Sequence, residues 1–223
     1  MPLRPSAARR NRRGTPLLPA AFWAETLLLL LFLLPFHPAE TAPVPSPGLA
    51  PEATAALEAL PAGLSPLRRS LLEHACSLVG RVGYFWGGKS NASGWDSAWG
   101  TLRSVTAPGC ADSGSLQPYG LDCSGLISWV ARNALDGSAE TDQIGEGVRA
   151  QYAACTPIPW DALEPGDLVC FSDLSHIGLA LAPTADGTVP VVHCSRSLGG
   201  VVLTPDGAAA GFSLAGRPVW LEE

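Results

Sequence analysis

Cys123 stands where a glycine-containing segment gives way to a run with helical periodicity. The segment reads Gly-Leu-Asp-Cys-Ser-Gly over residues 120–125. The apolar residues after it recur at helical spacing, at Leu126, Ile127, Val130, Ala131 and Ala134. We therefore predict that a helix begins at this cysteine. The free N–H groups at a helix N-terminus stabilise an anion, so the position predicts a lowered thiol pKa and a reactive thiolate. A small buried hydrophobe is the other interpretation of a free cysteine.

Two of the four histidines lie in segments that favour β-strands. His176 belongs to the apolar run over residues 175–180, His193 belongs to the run over residues 189–194, and a turn at residues 184–188 separates the runs. We predict that they are neighbouring strands of one hairpin. A cysteine on a helix tip facing two such histidines supplies the nucleophile, base and orienting group of acyl transfer through a thioester.

The other cysteines and histidines do not form a metal-binding pattern. No Cys-x-x-Cys or His-x-x-x-His pair occurs, so neither a metal site nor a cofactor is predicted. Six cysteines in an exported chain would ordinarily suggest three disulfides. If Cys123 is a nucleophile, the remaining five cannot all pair with one another, and their pairing stays unassigned.

The first 36 residues are predicted to export the chain or to anchor it in a membrane. Five arginines within the first 13 positions precede a leucine-rich apolar run over residues 26–34, as in a secretory signal. No well-placed cleavage site decides whether the segment is removed, and the longer stretch over residues 17–36 could stay as one anchoring helix. Residues 37–62 are rich in Pro and Ala and predict an extended spacer. The folded domain is expected over residues 63–223.

The charge distribution argues against a nucleic-acid partner. The chain has 14 basic and 20 acidic residues, and five of the bases lie in the first 13 positions, so residues 14–223 hold 9 bases against 20 acids. Such an acidic body lacks the basic surface that a phosphate backbone requires. Contact with a membrane is expected only through the N-terminal segment, and a monomer is expected.

Four motifs, in this order, resemble the NlpC-type family of cell-wall cysteine peptidases. They are Tyr84-Phe85-Trp86-Gly87-Gly88, Asp122-Cys123-Ser124-Gly125, Leu163-Glu164-Pro165-Gly166-Asp167-Leu168-Val169 and His176-Ile177-Gly178. The resemblance covers the chain from about Ser65 to Trp220. It implies a papain-like α+β fold, in which the helix that begins with the cysteine packs on an antiparallel β-sheet carrying the histidines.

The resemblance also implies an activity and its catalytic residues. The expected protein is an extracytoplasmic peptidoglycan hydrolase, a cysteine endopeptidase that cleaves stem peptides between D-glutamate and a diamino acid during cell-wall remodelling. Cys123 would be the nucleophile and His176 the general base. His193 would be the third polar group, which fixes the tautomer of His176.

Four further residues are implied to surround the substrate. The Tyr84 hydroxyl would help to bind the oxyanion, together with the backbone N–H of Cys123. Asp122 and Ser124 would contact polar groups of the substrate, although a helix N-cap explains Asp122 nearly as well. Trp86 would line the cleft.

The connection between Gly88 and Asp122 is longer than the family resemblance predicts. Its 33 residues include Trp95 and Trp99, which favour an ordered flap that walls the cleft and narrows specificity. Two other functions stay open. One is an amidase or acyl transferase with the same Cys–His chemistry, and the other is a catalytically silent wall-binding module.

Overall fold

The main β-sheet comes from the C-terminal half of the chain, where short apolar runs alternate with turns. The computed structural model describes residues 48–136 and 139–221. Within these residues the sheet has six strands: β3 (Cys155–Ile158), β4 (Leu168–Phe171), β5 (Ile177–Ala180), β6 (Val191–Ser195), β7 (Gly200–Thr204) and β8 (Phe212–Pro218). Their order across the sheet is β3-β8-β4-β5-β6-β7, and every neighbouring pair is antiparallel. The predicted hairpin is therefore present as β5 and β6.

The α-helices of the described residues precede the six-stranded sheet in sequence. They are α1 (Pro51–Glu58), α2 (Pro66–Ser77), α3 (Cys123–Ala134) and α4 (Gly147–Ala153), with short 3-10 turns at Ala139–Gln143, Trp160–Ala162 and Val219–Leu221. The helix predicted to begin at Cys123 begins at that residue. No helix among the described residues is both long and apolar enough to cross a membrane.

The core lies between α3 and the middle of the sheet. Leu126, Ile127 and Val130 of α3 are fully buried in the same apolar cluster as Leu179 and Val192 of the sheet. Burial of each large aliphatic side chain contributes roughly 1.5–3 kcal/mol. Because side chains alternate along a strand, the neighbours of these sheet residues point to the opposite face, where a smaller cluster surrounds Phe212. The predicted α+β arrangement, with the cysteine helix on an antiparallel sheet, is confirmed.

The predicted spacer over residues 37–62 is wrong at its C-terminal end. Residues 51–58 form α1, in which Ala53 is fully buried, and Leu60 just beyond it is also buried in the main core. The sequence of this helix begins with Pro51, which is well suited to the first helical turn, and continues with alanine, leucine and glutamate, which are strong helix formers. The signal or anchor predicted over residues 1–36 lies outside the described residues.

The long connection between Gly88 and Asp122 is ordered and rests on α3. Its indole ring at Trp99 is 8% exposed and packs edge-on against Trp129 of α3, with ring centroids 5.4 Å apart. Within the connection, β1 (Leu102–Ser104) and β2 (Leu116–Pro118) form a two-stranded antiparallel sheet. The prediction that this connection is ordered therefore agrees with the structure, and the contact between Trp99 and Trp129 attaches it to α3.

Two smaller predictions about secondary structure differ from what is found. The spacing of Ile144, Val148 and Tyr152 predicts one helix over residues 141–154. The structure instead has a 3-10 turn followed by α4, because Gly145 and Gly147, which lie between the two, each have a φ of 81°, where a right-handed helix cannot continue. The sequence also predicts a last strand over residues 217–221, but this strand lies earlier, at Phe212–Pro218.

Candidate active site

The loop before α3 is held by an N-cap and by close backbone packing, and together these fix Cys123. Asp122 has extended backbone, and its Oδ1 accepts a hydrogen bond from the N–H of Gly125 at 2.6 Å. The N–H of Asp122 donates to the carbonyl of Gly88 at 3.1 Å. A Cβ at Gly125 would overlap that carbonyl oxygen. Gly88 and Gly125, which belong to two separate motifs, thus let the Gly-Gly segment pack against the start of α3. Asp122 is the N-cap of this helix.

The thiol of Cys123 is protonated at neutral pH, contrary to the prediction. The residue is 9% exposed, and burial, followed by the Asp122 carboxylate, raises the thiol pKa to about 11. Hydrogen bonds from the N–H groups of Ile177 and Ser124 oppose this rise, but they do not overcome it. The helix N-terminus does favour an anion, but desolvation and a neighbouring carboxylate act more strongly here. The side chain of Cys123 is therefore a neutral thiol.

The two predicted histidines are joined in one hydrogen-bonded chain that ends at Thr204. Nε2 of His176 lies 2.8 Å from Nδ1 of His193, and Nε2 of His193 lies 2.7 Å from Oγ1 of Thr204. His176 immediately precedes β5, His193 lies on β6 and Thr204 ends β7. Because Nε2 of His176 is engaged, Nδ1 is the ring nitrogen left for a proton from another group.

Two phenylalanines enclose the imidazoles. The Phe171 ring lies 5.0 Å from the ring of His176, and the Phe212 ring lies 5.5 Å from His176 and 5.3 Å from His193, all between centroids. Burial lowers the pKa of His176, and burial followed by repulsion from His176 lowers the pKa of His193 to about 4. Both rings are therefore neutral at neutral pH, and a neutral imidazole has one nitrogen that can accept a proton.

Lys89, which sequence reasoning did not identify, places a positive charge beside Asp122 at the start of α3. Its Nζ lies 2.8 Å from Oδ1 of Asp122 and 2.5 Å from Oγ of Ser124, whose hydroxyl also donates to Asp122 at 2.9 Å. The ammonium lowers the pKa of the Cys123 thiol and so opposes the effect of the carboxylate. Lysine follows the Gly-Gly pair directly in sequence, but only the fold brings it to Asp122.

All seven predicted site residues line one cleft of about 1010 Å³. They are Tyr84, Trp86, Asp122, Cys123, Ser124, His176 and His193. The cleft also contains residues that sequence reasoning did not assign to it, among them Phe171, Thr204 and Phe212. Strand alternation could have suggested Thr204, because it lies on the strand after His193, but the register between those strands is not readable from the sequence.

Tyr84 and Trp86 line the same cleft as Cys123. Burial, followed by the neighbouring Cys123, raises the pKa of the Tyr84 phenol, so its hydroxyl stays a hydrogen-bond donor. Nε1 of Trp86 donates to the carbonyl of Pro108 at 2.9 Å. Across the cleft, Arg196 pairs with Asp112 at 2.5 Å. The 89–121 connection thus contacts two lining residues, Trp86 and Arg196, but none of its own residues lines the cleft, so the prediction that it walls the cleft is wrong.

All six cysteines are free thiols, and all but Cys110 are buried. Among the residues described, no group of three or more His, Cys, Asp or Glu side chains is arranged to hold a metal ion. The thiol of Cys194 donates to the carbonyl of Leu121 at 3.0 Å, which gives at least one of the buried cysteines a structural contact beside the helix start.

The chain is similar to several solved structures. The peptidoglycan hydrolase RipB of Mycobacterium tuberculosis is 25% identical, with 74% of this chain and 66% of RipB covered and a TM-score of 0.47. The P60 domain of an antigen from M. avium paratuberculosis is 17% identical, with 69% and 93% covered and a TM-score of 0.48. RipD of M. tuberculosis, described as a non-catalytic NlpC/p60 domain protein adapted to peptidoglycan binding, is 14% identical, with 70% and 99% covered and a TM-score of 0.47.

No protein-family model matches the chain, and no curated protein matches it either. The chain spans about two thirds of RipB, with 66% of that chain covered. In structure, this chain is similar to NlpC/P60 domains, the group that its four sequence motifs resemble.

Proposed function

We propose that this chain is an exported cysteine peptidase that hydrolyses stem peptides of peptidoglycan. The observation that carries the proposal is a single cleft that holds Cys123 at the start of a helix together with the His176–His193 pair. A nucleophile, a neutral base and a group that orients the base are the minimum for acyl transfer through a thioester.

The first step is proton transfer from the thiol to Nδ1 of His176. Because the thiol is neutral at rest and His176 is neutral too, the thiolate forms as the reaction proceeds instead of being stored. The sulfur then forms a bond to the carbonyl carbon of the scissile amide, and the π electrons of the carbonyl move to its oxygen. The imidazolium left on His176 donates from Nε2 to His193.

The oxyanion is stabilised by donors that stand beside the sulfur. The backbone N–H of Cys123 lies in the first turn of α3, where N–H groups have no partner within the helix. The Tyr84 hydroxyl is the second donor, and it stays protonated because burial raises its pKa. Removal of one such donor typically lowers the rate by roughly 10²–10³.

The intermediate collapses when His176 returns its proton to the leaving nitrogen. The C–N bond breaks, the amine departs and a thioester remains on Cys123. Water, deprotonated by His176, then attacks the thioester, and the thiolate leaves and recovers the proton. The products are an amine and a carboxylate, and the enzyme returns to its starting state.

Peptidoglycan is the proposed substrate on the strength of the four sequence motifs and the predicted export signal. The scissile bond we propose joins D-glutamate, through its γ-carboxyl, to a diamino acid. Arg196 at the cleft rim has a side chain that is 50% exposed, and its charge suits stem peptides, which carry carboxylates. An amidase or an acyl transferase would use the same cysteine on a different bond or with a different acceptor.

The test is digestion of defined stem peptides and muropeptides by the full-length chain, with products identified by mass spectrometry. We expect Cys123→Ala to abolish cleavage. Cys110→Ala is the matched control, because Cys110 is the one cysteine that is not buried and it lies outside the cleft, so this variant should cleave normally. Wild-type protein that binds wall fragments without cutting any of them would identify a silent binding module.

A further inference from the structure

The chain of side chains behind the nucleophile does not end at His193. Beyond it, on the neighbouring strand, Oγ1 of Thr204 lies 2.7 Å from Nε2 of His193. In the register of β6 and β7, His193 lies opposite Val202 and Thr204 lies opposite Val191. Side chains two residues apart share a face, so His193 and Thr204 are diagonal neighbours on the cleft side of the sheet.

Each hydrogen bond of this chain needs one donor and one acceptor, and the choice at one end fixes the choice at the other. A neutral imidazole has one N–H and one unprotonated nitrogen. If Nε2 of His176 carries its proton, it donates to Nδ1 of His193, and the proton of His193 is then on Nε2 and donates to Thr204. If Thr204 donates instead, every hydrogen bond in the chain runs in the opposite direction, and the proton of His176 is on Nδ1.

Only the first of these two arrangements leaves His176 able to act as a base. Nδ1 must have a free lone pair to accept the proton of Cys123, and that requires the proton of His176 to be on Nε2. The same direction serves the imidazolium formed during the reaction, because its Nε2–H also needs an acceptor at Nδ1 of His193. A hydroxyl oxygen can accept from Nε2 of His193, whereas an aliphatic side chain cannot.

We propose that Thr204 is a positioning residue whose hydroxyl accepts a hydrogen bond from Nε2 of His193 and thereby fixes the tautomers of both histidines. The proposal rests on the proposed function for its effect on catalysis, but its structural content can be measured without any substrate. The burial of His193 and the partial burial of His176 strengthen the effect, because neither water nor a second protein group replaces a lost partner easily in a partly enclosed site.

The measurement is the tautomer of each histidine in the full chain, read from the ring ¹⁵N shifts and the long-range ¹H–¹⁵N correlations. In wild-type protein we expect the N–H of His193 at Nε2 and that of His176 at Nε2. Thr204→Val keeps the shape of the side chain and removes the hydroxyl, so His193 should become a mixture of tautomers. Thr204→Ser keeps a hydroxyl and should restore the wild-type pattern.

The catalytic readout separates positioning from simple structural damage. We expect Thr204→Val to lower kcat about tenfold with KM unchanged, since one net hydrogen bond is worth about a factor of ten, and Thr204→Ser to recover most of the loss. His193 protonated at Nδ1 in wild-type protein, or Thr204→Val with wild-type tautomers and kcat, would overturn the proposal. If the wild-type chain has the expected tautomers but cleaves no peptide, the proposed function fails while the role of Thr204 in fixing the rings stands.

Discussion

Gly178 lies directly opposite His193 where β5 pairs with β6. A Cβ on Gly178 would fall 2.5 Å from Cγ1 of Val191 and 3.0 Å from Cβ of His193. The glycine therefore leaves the space in which the ring of His176, two residues earlier on the same face, meets the ring of His193. The His-Ile-Gly motif thus combines His176, the proposed base, with a glycine that packs against His193.

Gly178→Ala should therefore damage both stability and catalysis. Overpacking of a filled core typically costs about 1–3 kcal/mol, and here the added Cβ would meet Val191 first and His193 next. We expect a lower free energy of unfolding in denaturant titrations and a lower kcat on stem peptides. Gly63→Ala is the matched control, because a Cβ there meets no atom within 4 Å. Equal unfolding curves for the two variants would show that the sheet adapts without strain.

The enclosure of His176 predicts the acid limit of activity. Burial lowers the pKa of His176 below its ordinary value of 6.5, so the ring stays an unprotonated base as the pH falls past that value. We expect the midpoint of the acid limb of kcat/KM to lie below pH 6.5. Phe171→Ala opens one side of the ring to water and should move this limit towards 6.5. An acid limit above 6.5 in the wild-type protein would contradict the assignment of His176 as a partly buried, neutral base.

The thiol of Cys123 should alkylate as a neutral cysteine does, and not as a stored thiolate. Its pKa of about 11 predicts a rate with iodoacetamide that keeps rising through alkaline pH, measured in a Cys110→Ser background, in which Cys123 is the thiol that lines the cleft. Lys89→Met removes the ammonium that lowers this pKa and should shift the profile to higher pH, whereas Lys89→Arg should leave it in place. A plateau of fast alkylation on the acid side of neutrality would instead indicate a thiolate–imidazolium pair at rest.

The contact between Asp112 and Arg196 predicts how the 89–121 connection affects specificity. Deletion of residues 90–118 would also remove Trp99 from the core, so a point substitution is the cleaner test. Asp112→Asn keeps the shape of the side chain and releases the charge of Arg196 at the cleft rim. Across a set of stem peptides, we expect the change in KM caused by this substitution to depend on how many carboxylates the peptide carries. The unfolding midpoint should stay unchanged. A uniform effect on all peptides would argue against a role in selection.

The sequence-based predictions succeeded where the physics is local. A helix start at Cys123 follows from an N-cap residue and a periodic apolar face, and the hairpin of His176 and His193 follows from two apolar runs around a turn. Both need only a few consecutive residues. The same reasoning missed α1, because its alanines were interpreted as part of a spacer when they are also the best helix formers.

The parts of the site that were missed depend on long-range contacts. Thr204 reaches His193 only through the register of two strands, and Lys89 reaches Asp122, which lies 33 positions later in sequence. The thiol pKa was predicted with the wrong sign for the same reason. The helix N-terminus is visible in the sequence, whereas the burial of Cys123 and the closeness of its neighbours are set by the whole fold.

The Glu-Pro-Gly-Asp motif has a structural role that can be tested separately from catalysis. Asp167 has no exposed surface, and its Oδ1 accepts from both terminal nitrogens of Arg68 at 3.0 Å. Arg217 donates to the same carboxylate from Nε at 3.2 Å and from Nη2 at 3.0 Å. The carboxylate thus joins α2, which contains Arg68, to β8, which contains Arg217, at the point where β4 begins.

Asp167→Asn should therefore lower stability strongly while the cleft residues stay in place. The amide loses the negative charge and directs a donor at one guanidinium, so Arg68, whose side chain is 8% exposed, keeps only the exposed Glu164, at 3.4 Å, as an acidic partner. Removal of one partner from a buried ion pair costs roughly 3–5 kcal/mol, measured as the loss in free energy of unfolding. Glu164→Gln is the matched control, since its side chain is 54% exposed and a surface ion pair contributes only about 0–1 kcal/mol. A loss no larger for Asp167→Asn than for Glu164→Gln would mean that the buried network adds little beyond the packing around it.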